Sequence, residues 1–201
     1  EFDKTKFSGI KSIVIAGMGG SAISGDLCRL ILNDTIDVPI HIVRDYNLPA
    51  WCDRSTLFIL SSYSGNTEET LSIYNESKEI SDMIISVTTG GELELKSRSD
   101  GVDVVSIPSG FQPRAAIGLS LVSIFIVLRK LNKIDEAILD SLLYAADEIE
   151  AFHGRYCSKD GFAQEVAEKV RSCVLYIYGV ESSTDVIASR FRAQLAENSK
   201  V

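Results

Sequence analysis

An α/β fold, a parallel sheet covered by helices on both faces, is predicted by three features of this 201-residue chain. Short β-branched runs without polar alternation recur along it, the pattern of strands buried on both faces. Segments of helical length separate those runs, so strand and helix alternate. Two of the runs break into glycine- or serine-rich turns that lead into helices, and ligands on such sheets sit at the carboxyl ends of the strands.

The first run, Ser12-Ile13-Val14-Ile15-Ala16, stops at Gly17-Met18-Gly19-Gly20-Ser21. Residues 21–32 then carry Ile23, Leu27, Leu30 and Ile31 close to a helical period, and Asn33-Asp34 ends the helix. Gly17, Gly19 and Ala22 satisfy a G-x-G-x-x-A pattern, and Asp45 follows the second strand, 39–43, so a dinucleotide site stays open at this point. That reading leaves the second special turn unexplained. Further strands are expected at 56–60, 83–87 and 102–107, with helices at 68–80 and 92–98 between them, making a five-stranded parallel sheet. The strand at 56–60 runs into Ser62-Tyr63-Ser64-Gly65-Asn66-Thr67, ahead of the helix at 68–80. Hydroxyls, unpaired backbone N–H groups and the positive end of a helix dipole are there offered to one anion. With no P-loop lysine, such a cup suits a monophosphate ester better than a nucleoside triphosphate. The same residues also serve ordinary turns and helix caps, so both uses are open from these residues alone.

Beyond the sheet, Pro113-Arg114-Ala115-Ala116-Ile117-Gly118 leads into a strongly apolar helix at 119–131, suited to burial between domains or subunits. Pro113 is favourable at a helix N-terminus, whereas Arg114 in a first turn opposes the dipole. An unfavourably placed cation invites a functional role, the alternative being a surface arginine paired with a carboxylate. Helices are expected at 134–153, 162–170 and 185–198, with a strand at 173–179 that repeats the apolar-run-then-glycine pattern. The division expected is therefore a first domain with trailing helices at 1–153 and the start of a second, incomplete one at 154–201.

Composition narrows the function classes. Hydrophobic residues at 45% and charged residues at 24% describe a globular chain with a sizeable core. A formal charge of −8 argues against nucleic acid and requires an anionic ligand to be captured by local groups. No apolar run reaches the roughly 18 residues of a membrane span, and no signal peptide opens the sequence. Cys28, Cys52, Cys157 and Cys173 form no CxxC pair and read as buried, reduced thiols of a cytoplasmic protein; His41 and His153 alone make no zinc cluster.

The glycine loop at 17–21, the stretch Ser62-Tyr63-Ser64-Gly65-Asn66-Thr67-Glu68-Glu69-Thr70, the element at 113–118 and Arg192-Ala193-Gln194-Leu195-Ala196-Glu197-Asn198 together resemble the sugar isomerase (SIS) domain. More closely, they resemble the archaeal-type bifunctional phosphoglucose/phosphomannose isomerases. The resemblance implies an SIS-type three-layer αβα sandwich followed by the beginning of a second SIS domain. It implies that Gly19, Gly20 and Ser21 lie along the sugar and that Ser62, Ser64 and Thr67 hold its phosphate. Arg114 would stabilise a developing enediolate, and Glu197 would shuttle the proton between C1 and C2. Without the resemblance, Glu197 is an exposed helical glutamate. The activity implied is aldose–ketose isomerisation of glucose 6-phosphate and mannose 6-phosphate to fructose 6-phosphate through a cis-enediol. No metal and no organic cofactor are implied, and the partner set is a hexose 6-phosphate and a second copy in a homodimer, with no nucleic acid and no membrane. The family's ring-opening histidine lies after its glutamate, and neither His41 nor His153 matches it by position. A phosphosugar sensor built on the same cup without a catalytic base is the alternative class, and Arg114 and Glu197 distinguish the two.

Overall fold

The computed structural model describes residues 2–199. Five strands, β1 Ser12–Ala16, β2 Ile40–Val43, β3 Thr56–Ser62, β4 Ile84–Thr88 and β5 Asp103–Ser106, form one sheet in the order β2-β1-β3-β4-β5. Every pairing is parallel. Helices α1 Gly19–Leu32, α2 Glu68–Ile80 and α3 Gly91–Ser99 connect the strands. A 3-10 turn at Pro113–Ala115 precedes α4 Ile117–Lys130, and α5 Glu136–Cys157, α6 Phe162–Val170 and α7 Asp185–Ser199 complete the order.

Side chains alternate across a strand with period two, so each apolar run must be buried twice. Ile13, Ile15, Leu57, Ile59 and Ile85 pack to one face with Cys28 and Leu32 of α1 and Phe125 and Leu128 of α4. Val14, Ala16, Phe58, Leu60 and Ile84 pack to the other with Ile73 and Tyr74 of α2 and Leu93 of α3. The result is the three-layer sandwich expected. Each fully buried Ile, Leu or Phe contributes about 1.5–3 kcal/mol relative to an exposed one, which explains why runs without polar alternation settle at the centre of the sheet. The chain leaves β1 for β2 on one side and returns to β3 on the other, so β1 and β3 flank the topological switch point.

Several boundaries differ from expectation. β3 extends through Ser62, so the first cup serine is a strand residue, 2% exposed. Arg114 lies in the 3-10 turn rather than in the first turn of α4, which begins three residues later at Ile117, so the dipole argument drawn for it does not apply. Helix α4 buries one side on the sheet, with Ile124, Phe125, Val127 and Leu128 inward, and leaves Val122 and Ile126 exposed. No strand forms at 173–179. A strand needs a ladder partner, none lies beside this segment among the described residues, and Val174, Tyr176 and Tyr178 are 82%, 77% and 87% exposed. The expectation of buried thiols is also corrected. Cys28 is buried, which pushes its thiol up to about 12, but Cys157 and Cys173 are exposed because the C-terminal part of α5 and the 173–179 segment stand off the core, whereas Ile138, Leu139 and Leu142 at the start of α5 pack on it. Among the described residues, no helix is long and apolar enough to cross a membrane.

Candidate functional site

The loop after β3 is built by its own hydroxyls. Ser62 Oγ and Thr67 Oγ1 are 2.9 Å apart, and Gly65 N donates to Ser62 Oγ at 3.1 Å. Asn66 N donates to Ser64 Oγ at 3.2 Å. One hydroxyl proton is consumed in the Ser62–Thr67 bond, which leaves the other free for a ligand. Thr67 is the N-cap of α2 yet makes no side-chain capping bond, so the first-turn N–H groups of that helix remain open to an anion. Of the acidic residues in that turn, Glu68 is engaged by the Tyr46 hydroxyl, which donates to its Oε2 at 3.5 Å.

The loop is also locked to its neighbour. Asn66 Oδ1 accepts from Glu92 N at 3.0 Å, and Gly65 O accepts from Leu93 N at 2.9 Å, so residues 65–66 cap the N-terminus of α3. Neither the polar pattern nor the spacing marks Asn66 as a cap for a helix more than twenty residues away.

The glycine loop after β1 lies against both other parts of the site. A Cβ placed on Gly17 would stand 2.6 Å from the Ser61 carbonyl, and one on Gly20 would stand 3.0 Å from the Pro113 carbonyl. Backbone therefore approaches backbone on both sides, which only residues without side chains permit. Ser24 Oγ, one turn into α1, reaches Gly20 O at 3.0 Å and Ile117 O at 3.1 Å and ties the start of α1 to the start of α4. Gly19 is exposed, Gly20 is half-buried and Ser21 is 8% exposed.

Arg114 is exposed, and its backbone rather than its side chain is held: the Arg190 guanidinium of α7 donates to Arg114 O at 2.5 Å. Glu197 is exposed on the same helix, two turns beyond Arg190 and on the same face. Among the described residues, neither the Arg114 guanidinium nor the Glu197 carboxylate has an ion-pair partner, so the surface-pairing alternative for Arg114 finds no carboxylate. The structure thus joins the loops at 17–21 and 62–67 and the turn carrying Arg114, and docks the helix carrying Glu197 onto that turn through Arg190. Asp45, the ribose candidate of the dinucleotide reading, accepts from the N–H of Tyr46 in its own loop at 2.7 Å.

Chemically, the 62–67 loop offers hydroxyl and backbone donors to an anion, and the neighbouring elements carry a guanidinium and a carboxylate, the group types that proton transfer α to a carbonyl requires. No family model matches the chain. A bifunctional phosphoglucose/phosphomannose isomerase of Caldicellulosiruptor bescii is 42% identical over 198 residues, covering 97% of this chain and 58% of the relative. One of Thermoplasma volcanium is 37% identical over 204 residues, covering 100% of this chain and 61% of the relative. The chain therefore spans less than two thirds of the length of these curated relatives. Among solved structures, the C-terminal domain of glucosamine-fructose-6-phosphate aminotransferase from Francisella tularensis superposes with a TM-score of 0.72 over 98% of this chain and 58% of that one, at 21% identity, a likeness of fold. Over the part of these relatives that it spans, the chain is similar to bifunctional phosphoglucose/phosphomannose isomerases, and its sheet and helices form an SIS fold.

Proposed function

We propose that this chain carries the phosphate cup, the enediolate-stabilising cation and the proton-shuttling base of an aldose–ketose isomerase. Its substrates on this reading are glucose 6-phosphate and mannose 6-phosphate, each interconverted with fructose 6-phosphate. The observation that carries the reading is the meeting, at the switch point between β1 and β3, of a hydroxyl cup, a glycine loop and the Arg114 turn. Ser62, Ser64 and Thr67 bind the phosphate, while Gly19, Gly20 and Ser21 let the sugar lie against backbone. In the open-chain aldose, the Glu197 carboxylate takes the proton from C2, and the bonding pair becomes the C1–C2 double bond of a cis-enediol. Returning that proton to C1, with transfer of the hydroxyl proton from O2 to O1, gives the ketose. Arg114 stabilises the oxygen that becomes negative in between. One base on one face of the cis-enediol reaches both C1 and C2; accepting both C2 epimers requires in addition a pocket that tolerates either face of C2 toward that base.

The relatives' printed names support this substrate pair, and their greater length accords with a division into a first domain at 1–153 and a contribution to a second at 154–201. A cytoplasmic homodimer acting in glycolysis and gluconeogenesis belongs to the same reading.

Ser64→Ala removes one hydroxyl donor from a charged ligand and is expected to weaken hexose 6-phosphate binding by about 1.5 kcal/mol, roughly tenfold. Calorimetric titration checks this, and equal affinity in the variant rules out the cup. Thermal shift separates the dinucleotide alternative: a hexose 6-phosphate at a hundred times its Kd adds about 2.7 kcal/mol, while NAD at the same concentration leaves the midpoint in place.

A further inference from the structure

Tyr63 stands between two cup serines and has no part in the chemistry described so far. Its carbonyl is the most heavily engaged in the loop, accepting from Thr89 N at 3.1 Å and from Thr89 Oγ1 at 2.7 Å. Backbone pairing of β3 with β4 therefore continues past the last ladder pair, Ser62 with Thr88, and fixes where the Tyr63 side chain starts. The ring packs against the larger core cluster. Its hydroxyl then crosses to the loop after β5, donating to Pro108 O at 3.3 Å and accepting from Phe111 N at 2.9 Å.

That loop needs holding. Residues 108–115 are all exposed, Gly110 turns the chain at a φ of +98°, and Phe111 is 54% exposed. Among the described residues, apart from the local bond of Ala115 N to Gln112 O in the adjoining turn, the hydrogen bonds that reach residues 108–112 from any other element pass through the Tyr63 hydroxyl. The next residues are Pro113 and Arg114. One residue thus joins the ends of three strands: β3 by its place in the chain, β4 through the Thr89 bonds to its carbonyl, and the loop after β5 through its hydroxyl.

We propose that Tyr63 is a positioning residue, bridging the phosphate cup to the loop at 108–112 and so setting the place of Arg114 relative to a phosphate bound by Ser62, Ser64 and Thr67. The proposal rests on the isomerase reading for its kinetic consequence but not for its structural one. A phosphate seated in the cup immobilises the β3 end, and through the phenol the same restraint reaches the Arg114 turn. The cation is then in place when the enediolate forms, without rearrangement during the reaction.

Tyr63→Phe tests this in the native, full-length protein, because it deletes the hydroxyl and keeps the ring that packs on the core. The expected result is a kcat lowered about tenfold, the scale of one lost net hydrogen bond, with KM for glucose 6-phosphate within about twofold of wild type. Backbone hydrogen exchange at 109–116 is expected to speed up about tenfold, while exchange within β3 stays as in wild type. Thr89→Val, which loosens the same tyrosine from the β4 side without touching its hydroxyl, is expected to shift both readouts in the same direction by about threefold. Unchanged exchange at 109–116, or faster exchange with unchanged kcat, overturns the proposal. So does a KM that rises more than kcat falls, which would make Tyr63 part of the cup itself. Absence of isomerase activity in the wild type defeats the isomerase reading instead, and the exchange comparison then still decides whether Tyr63 holds the loop.

Discussion

Glu197→Gln is expected to lower isomerisation of both hexose 6-phosphates by about 10³-fold, close to 4 kcal/mol in the barrier, while phosphosugar affinity stays within about twofold. The amide keeps the size and helix propensity of the glutamate and loses only the ability to accept a proton. Glu197 is exposed on α7 and has no ion-pair partner among the described residues, so the fold loses nothing by the change and its stability stays within about 0.5 kcal/mol. On the proposed reading the phosphate is held by Ser62, Ser64 and Thr67 and not by Glu197, which accounts for the unchanged affinity expected. Steady-state assays with glucose 6-phosphate and mannose 6-phosphate check the rate, and titration with fructose 6-phosphate checks the binding. Loss of deuterium incorporation from D2O into C1 and C2 would assign the missing step to proton transfer. Turnover within tenfold of wild type moves the base to another residue, whereas a wild-type protein that binds hexose 6-phosphates without turning them over favours the sensor reading.

Arg190, two turns before Glu197, anchors α7 on the Arg114 carbonyl and so ties the helix to the turn that carries the cation. This coupling also gives a cause for the docking of α7, whose single buried side chain, Val186, offers little apolar area on its own.

How much of this could be read from the residues depends on the range of the interaction. Non-alternating runs such as Ile13-Val14-Ile15 and Leu57-Phe58-Ile59-Leu60 announce strands covered on both faces, because no other environment accommodates apolar side chains on both sides of a strand. The glycine and serine turns announce themselves for a similarly local reason, since small residues at a strand-to-helix junction leave backbone donors open. The segment 173–179 misleads by the same logic: its pattern is that of a strand, but a strand is made by its partner, and pairing is not written in one segment. Tyr63 and Asn66 escape notice because their meaning depends on β4 and β5 arriving beside β3. Only the register Ser62 to Thr88 brings the Thr89 hydroxyl under Tyr63 and the start of α3 under Asn66. Arg114 stands out in the sequence only by its resemblance motif, since the first-turn position argued for it is not where it lies, and the anchor on its carbonyl comes from a residue 76 positions away.

Gly65→Ala is expected to cost about 3–5 kcal/mol of stability and to abolish measurable hexose 6-phosphate binding, a larger loss than any single hydroxyl deletion. Two independent penalties act at this position. The backbone φ is +70°, in the left-handed region where a Cβ is strained. The added methyl also has nowhere to go: it would overlap the Gly90 carbonyl oxygen and stand 2.8 Å from the Gly90 carbonyl carbon and 2.9 Å from Thr88 Oγ1. Those atoms cannot yield cheaply, because Gly90 O accepts from Thr88 Oγ1 at 2.8 Å and Thr88 is fully buried at the end of β4. If the 62–67 loop moves instead, it gives up the Leu93 N bond to Gly65 O and the Glu92 N bond to Asn66 Oδ1, leaving α3 without its cap. It also breaks the Gly65 N bond to Ser62 Oγ that shapes the cup. Urea melts with far-ultraviolet circular dichroism measure the stability loss, and calorimetric titration at a temperature where the variant is folded measures the binding loss. A variant with wild-type stability and affinity would mean that the 62–67 loop does not press on the Gly90 turn, and the cup would have to be rebuilt from a different arrangement of the β3 and β4 ends.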